Sequence, residues 1–516
     1  MSYRLGIDVG GTNTDAVIID NELNVISKAK HPTTTDVSTG IYNVINKVLN
    51  GCDLCNTDIE YAMLGTTHCA NAIVERKNLN NIAIVRIGKP ATQAVKPLID
   101  WPEELKNAIG GYSFLVSGGH EYDGEEIAEL DEEEIRNIAK EIKGKVSSIA
   151  ITSVFSPVND EFEERAKEIL NEELEDVSFS LSNEIGSIGL VERENATILN
   201  AAVVNAAEEA VRAFKKALKS HGIEAKKYFG QNDGTLMSVD YALQYPILTI
   251  ASGPTNSIRG AASLAGLEEG IVVDVGGTTT DIGALQKGFP RESAISVEIG
   301  GVKTNFRMPD LITLGLGGGS IVNNQENGIK IGPESVGYRI TEESLIFGGE
   351  TLTATDISVA KKISEIGDPS NVKDLENDLV ERAHEKIVSM VEEGIDRMKT
   401  SPQALPTALV GGGSVLLPQE LKGVSEVYKP NNFEVANAIG VAIAQVSGEI
   451  EKIFNIDEIP RDKALDKAKD MAREEAIEAG ADPDTIEIVN VEDVPLAYLP
   501  GNATRISVKA AGQLRH

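Results

Sequence analysis

The stretch Asp8-Val9-Gly10-Gly11-Thr12-Asn13-Thr14-Asp15 returns later as Asp274-Val275-Gly276-Gly277-Thr278-Thr279-Thr280-Asp281, with Thr279 in place of Asn13 the sole change. Each copy follows a short apolar run, residues 4–7 or 270–273, and precedes another, residues 16–19 or 282–285. Strand, Gly-Gly turn, strand is the signature of a β-hairpin. The paired glycines let backbone N–H groups approach a ligand closely, and successive N–H groups in such a turn form an anion-binding concavity. Carboxylates beside an anion site call for a bridging divalent metal. Two such turns, one from each half of the chain, predict a pair of jaws on a nucleoside triphosphate. A Walker-type Gly-x-x-x-x-Gly-Lys-Ser/Thr loop is absent.

Composition sets the frame. A chain of 516 residues is long enough for two to four domains, and 41% hydrophobic with 25% charged residues is ordinary for a globular protein. The formal net charge of −32 argues against nucleic-acid binding, because such a surface repels phosphate backbones. No apolar run is long enough for a membrane span, and the N-terminus carries no signal-peptide pattern, so a cytoplasmic location is expected. Three cysteines do not make a disulfide framework. Cys52, Cys55 and Cys69 could be drawn with His68 as a zinc set, but adjacent His68 and Cys69 can hardly both reach one tetrahedral ion. Inert thiols are the expectation.

Strand and helix patterns alternate through residues 1–187, predicting a first lobe with the first hairpin. A single long helix is expected over 191–219, crossing between halves. Residues 188–447 form the predicted second lobe, with the second hairpin, a helix opened by Ser252-Gly253-Pro254, and Gly411-Gly412-Gly413-Ser414 after a strand. That last run is the expected floor for adenine and ribose, since glycine permits close backbone approach. A competing run, Gly317-Gly318-Gly319-Ser320, is assigned to a substrate-side loop. Residues 448–516 read as a small C-terminal α+β appendix beginning with a charged helix, its strands pairing with the body or with a partner.

These spacings resemble the actin/Hsp70/sugar-kinase superfamily, whose two-lobed, ribonuclease-H-like α/β fold carries duplicated phosphate hairpins. More closely, the chain resembles the hydantoinase A/oxoprolinase family. The matching segments are residues 6–15, Gly65-Thr66-Thr67 with Asn71 and Glu75-Arg76, Glu192-Arg193, Ser252-Gly253-Pro254, residues 274–281, residues 317–320, Gly332-Pro333-Glu334-Ser335 and Thr355-Asp356. Leu64 stands where the family usually has His, and Gln231-Asn232-Asp233-Gly234 replaces its Ser-Asn-Gly-Gly segment.

The resemblance implies an ATP-dependent cyclic amide hydrolase that phosphorylates its small-molecule substrate, uses Mg²⁺, and works in an oligomer with a larger hydantoinase B-type subunit. In that reading Gly10, Gly11, Thr12, Asn13 and Thr14 bind phosphates from one jaw, and Gly276, Gly277, Thr278 and Thr279 from the other. Asp8 holds the metal, with Asp15 and Asp281 supporting the metal or the turns. Asp274 orients the attacking oxygen or acts as general base. A stand-alone small-molecule kinase and a non-enzymatic ATP-driven clamp are the alternatives.

Overall fold

The computed structural model describes residues 2–515 apart from 35, 55, 187, 294–296, 307, 326–327 and 497–500. Both copies of the repeated phrase form antiparallel hairpins with one geometry. Tyr3–Val9 pairs with Asn13–Ile19, setting Asp8 opposite Asp15 and Val9 opposite Thr14. Gly270–Val275 pairs with Thr280–Gln286, setting Asp274 opposite Asp281 and Val275 opposite Thr280. Each turn is closed by its first glycine, Gly10 N–H to Asn13 O at 3.0 Å and Gly276 N–H to Thr279 O at 2.8 Å. Each leading strand also has a parallel neighbour, Ile59–Thr66 or Leu405–Val410. The sequence repeat is thus a repeat of topology.

Three main sheets carry the chain. The nine-stranded sheet runs Glu487–Pro495, Thr504–Gly512, Val446–Phe454, Leu236–Ser238, Lys226–Gly230, Ile59–Thr66, Tyr3–Val9, Asn13–Ile19, Val25–Pro32. The second hairpin belongs to a six-stranded sheet that adds Phe289–Pro290, Leu311–Leu314, Leu405–Val410 and Val424–Tyr428. A parallel four-stranded sheet, Tyr112–Ser117, Ile82–Lys89, Ser148–Ser153, Ser178–Leu181, completes the first lobe. All six residues of Ser148–Ser153 are buried, as a parallel strand covered on both faces requires. No described helix is long and apolar enough to cross a membrane.

The sheets divide the chain differently from the boundaries expected at 187/188 and 447/448. Strands Lys226–Gly230 and Leu236–Ser238 lie in the first lobe's sheet. The C-terminal α+β appendix is present, and of the two expected pairings its strands take the one with the body, extending that same sheet. Its charged helix, Arg461–Glu478, is preceded by the unexpected strand Val446–Phe454. The reason is an alanine stripe: Ala464, Ala468, Ala472 and Ala476 are fully buried, and a Cβ on Gly448 would lie 2.1 Å from Ala476 N. Small residues bring helix and strand together, so burial is large although the helix looks polar in sequence.

The long helix expected over 191–219 is two helices, Leu190–Ala202 and Val204–Ser220. Buried Asn80 sits at the break. Its backbone N–H donates to Ala202 O at 2.8 Å and its side-chain oxygen accepts Asn205 N–H at 2.9 Å, satisfying groups the interruption frees. Neither segment crosses between lobes. The crossing is made by Ser252–Ala265 and Ala436–Ile443, which meet at glycines. A Cβ on Gly260 would lie 1.8 Å from Ala436 O, and one on Gly440 1.8 Å from Asn256 O. Gly440→Val drives a branched side chain into backbone that cannot recede. It should cost about 3 kcal/mol or more in urea unfolding; an unchanged midpoint would show that the crossing does not need backbone contact.

Candidate functional site

Asp8 is the penultimate residue of the first strand of its hairpin, 3% exposed, and each carboxylate oxygen has a different helix for a partner. Asn256 Nδ2, from Ser252–Ala265, donates to Oδ1 at 3.1 Å. Asn437 Nδ2, from Ala436–Ile443, donates to Oδ2 at 3.0 Å and to Asp15 Oδ2 at 2.9 Å. The space for this contact exists because Gly65 lies beside Asp8 in register; a Cβ there would be 2.2 Å from Asp8 Oδ1. Asp15 is also gripped by Lys30 Nζ, 2.9 Å from Oδ1 and 3.0 Å from Oδ2. Burial pushes the Asp8 carboxyl up to about 6. The charges of Asp15 and Asp274 add to that effect, while the two asparagine donors oppose it.

The opposing hairpin faces this cluster. Asp274 is raised by burial, countered by a hydrogen bond from Ser257 and by the Lys30 charge. Asp281 is pushed to about 6 by burial, with Thr313 Oγ1 donating to it at 2.6 Å and Asp274 repelling it. The turn tips themselves meet: a Cβ on Gly277 would come within 3.1 Å of Thr12 Cγ2 and 3.3 Å of its hydroxyl. Gly11, at the neighbouring tip, is exposed and has open space where a Cβ would be. The two expected jaws therefore close on one another across a single cleft.

Both additional glycine runs back the second turn. Gly411, at φ 80°, packs so closely that a Cβ would lie 2.1 Å from Asp274 Oδ1, and one on Gly413 2.6 Å from Gly276 O. Gly412 is exposed, with open space around it. Gly317-Gly318-Gly319-Ser320, expected as a substrate-side loop, packs directly on the second turn. Gly318 N–H donates to Gly276 O at 3.0 Å and Gly319 N–H to Gly277 O at 2.7 Å, so this run braces the turn.

Side-chain directions sort the remaining candidates. Thr14 is buried, its hydroxyl turned toward Gly40 beneath the helix Val37–Leu49, so only its backbone is offered to the turn. Ser414 Oγ is likewise buried, with no protein partner described. Asp356 builds a helix cap with Thr353, Thr355 Oγ1 donates to Gly318 O at 2.8 Å, and Arg193 is buried in the first lobe, donating to Ser182 Oγ and Ser153 O. Cys69 is buried, its thiol pushed to about 11 by that burial, as an inert thiol requires. Cys55 lies outside the described residues. A cavity of about 410 Å³ between the lobes and the C-terminal helix is lined by residues such as Glu184, Asp233, Tyr245 and Glu475, and by none of the hairpin residues.

Residues 4–174 match the hydantoinase/oxoprolinase N-terminal region, and residues 193–361 match the hydantoinase/oxoprolinase model. The chain belongs to the hydantoinase/oxoprolinase family. An uncharacterized protein of Methanocaldococcus jannaschii is 27% identical over 90% of this chain and 76% of its own length. Caprolactamase subunit alpha of Pseudomonas jessenii is 27% identical over 69% of this chain, and acetophenone carboxylase gamma subunit of Aromatoleum aromaticum 27% over 69%. This chain spans 54% and 52% of those two subunits, about half their length. Among solved structures, ATP-dependent caprolactamase from Pseudomonas jessenii superposes with a TM-score of 0.78 at 20% identity, over 99% of this chain and 88% of that one. Nucleotide-free acetone carboxylase superposes at 0.69 with 18% identity over the same shares. The fold of this hydantoinase/oxoprolinase family member is the two-lobed α/β one with duplicated hairpins that its repeat predicts.

Sequence reasoning missed Lys30, Asn256 and Asn437. The first stands opposite Asp15 in the hairpin's strand register, a pairing readable once the third strand is aligned. The asparagines lie within small-residue helices and carry no motif of their own.

The buried carboxyl of Asp8 generates a pH prediction. Its native value of about 6 lies above the unfolded value of about 4, so the folded protein holds an extra proton between them. Stability of the unliganded protein therefore falls as pH rises from about 4 to about 6, then levels. Asp8→Asn removes the loss: in urea unfolding it should exceed wild type by about 2 kcal/mol at pH 7.5 and match it at pH 4. Equal stabilities at both pH values would contradict the assignment.

Proposed function

We propose that this chain binds Mg·ATP between its two hairpins and phosphorylates a cyclic amide, or a related carbonyl compound, as the activating step of ring opening. The observation that carries the reading is the meeting of the two turns at Thr12 and Gly277, with Asp8 and Asp274 close enough to repel one another. Four carboxyls with raised proton affinity in one cleft are a site short of positive charge. The fit to Mg²⁺ follows from the donor set. No described group of three ligands forms a preformed cage, and Mg²⁺ suits such a place because it keeps waters and takes one or two carboxylates plus phosphate oxygens. When bound, it would supply charge neutralisation of the phosphates. Asp8 and Asp281 are the residues that would hold it, whereas Asp15, engaged by Lys30 and Asn437, supports the first turn.

The protein's own work is positioning and electrostatics, which dominate phosphoryl transfer. Backbone N–H groups of residues 11–13 and 277–279 hold the phosphates, with those of Gly10 and Gly276 closing the turns, and the run at 411–414 floors the nucleoside. The amide oxygen attacks the γ-phosphorus. An O–P bond forms as the bond from that phosphorus to the β,γ-bridging oxygen breaks, and ADP leaves. The phosphorylated amide is an imidate-like electrophile; water adds at its carbon, the C–N bond breaks to leave an amine and an acyl phosphate, and a second water hydrolyses that acyl phosphate to carboxylate and phosphate. Asp274 orients the reacting oxygen at the transfer step.

The relatives named caprolactamase subunit alpha and acetophenone carboxylase gamma subunit are parts of assemblies, which supports a larger partner subunit that completes the hydrolytic half. The complex recovered from the native cell should release ADP in step with opening of a lactam, hydantoin or 5-oxoproline. Asp274→Asn should lower turnover at least 100-fold while changing Mg·ATP affinity less than tenfold. Accumulation of an intact phosphorylated product would point to a kinase instead, and nucleotide-dependent assembly without turnover to a clamp.

A further inference from the structure

Anionic substrate in a strongly acidic protein needs a local cation, and the sequence motifs supply none. Lys30 stands on Val25–Pro32, directly opposite Asp15 in the strand pairing. Its strand is tied to the first turn at two points beyond it: Thr33 N–H donates to Thr12 O at 2.9 Å, and Thr33 Oγ1 to Gly10 O at 2.7 Å. Lys47 Nζ further pins the Lys30 carbonyl at 2.9 Å. The base of the side chain is therefore fixed relative to Gly10 and Thr12.

The ammonium has three N–H groups. One is donated to Asp15 Oδ2 at 3.0 Å, with Oδ1 2.9 Å away in the same ion pair, and no described side chain or carbonyl accepts another. The Lys30 side chain is 35% exposed against 4% for Asp15, so the pair opens outward on the lysine side. Its charge also reaches across the cleft, acting on Asp274 of the opposite hairpin as well as on Asp15. Lys28, the neighbouring base on the same face of the strand, is committed elsewhere, 2.8 Å from Asn432 Oδ1 and 2.6 Å from Glu434 Oε1.

We infer that Lys30 is a catalytic residue that donates a free N–H to the transferring phosphoryl group, with Asp15 acting as the post that holds the ammonium in place. This rests on the nucleotide reading above. Lys30 gives up no proton in the step. It places positive charge beside equatorial oxygens whose charge is redistributed as the γ-phosphoryl group passes from ADP to the carbonyl oxygen. The bland reading is that Lys30 only neutralises buried Asp15, which would leave it indifferent to the transferred group.

The test compares a ground-state and a transition-state mimic on the full chain. Binding of Mg·AMPPNP and of Mg·ADP–aluminium fluoride is measured by calorimetry for wild type, Lys30→Met and the double variant Lys30→Met/Asp15→Asn, with thermal melts to confirm folding. Lys30→Met should weaken the aluminium fluoride complex about 100-fold and AMPPNP less than fivefold. The double variant restores charge balance and a folded melt yet should stay equally deficient. Recovery of tight aluminium fluoride binding in the double variant, or an equal loss for both mimics, would overturn the role of Lys30 alone. Wild type that binds neither mimic would overturn the nucleotide reading itself, and this inference with it.

Discussion

The backbone contact between two helices, at Gly260 and Gly440, is the constraint on which the rest depends. Each glycine meets a carbonyl of the other helix where a side chain would have held the two apart. That approach is what lets Asn256 on one helix and Asn437 on the other reach the same carboxylate, Asp8. One helix is where the chain enters the second lobe and the other is where it leaves. The angle between lobes and the orientation of Asp8 are thus set by a single contact.

Charge explains why the site is built from backbone. At −32 overall, the protein opposes an incoming triphosphate, and any carboxylate near the phosphates makes matters worse unless a cation stands between. Oriented N–H groups in glycine turns attract anions without adding side-chain charge. The buried carboxyls that remain are kept by amide donors and by Lys30, at the expense of a raised proton affinity that a bound cation relieves.

Much of this was legible in the residues alone. An eight-residue repeat with matching flanks is local information, and hairpins are local structures, so both turns and their Asp–Asp registers follow from it. The failures share a cause: they depend on what lies across the fold. The break at Val203 is made by Asn80, more than a hundred positions earlier. Strand Val446–Phe454 was masked by the polar sequence that follows, because only its packing against the alanine stripe reveals why it is buried. Gly317-Gly318-Gly319-Ser320 looks like any flexible loop until its amides are seen on Gly276 and Gly277. Lys30, Asn256 and Asn437 escaped for the same reason, since nothing next to them in the chain announces a neighbour so distant.

The nine-stranded sheet places Thr504–Gly512 between Val446–Phe454 and Glu487–Pro495, while four of its strands come from the first 66 residues. During synthesis, then, the opening strands leave the ribosome long before the companions that finish their layer. The intervening lobe, from Ser252 to Ile443, is contiguous and can mature while still tethered. Its neighbour must wait with one sheet border unsatisfied until residue 512 is made, a stretch of time in which a bare strand edge is open to the wrong partner.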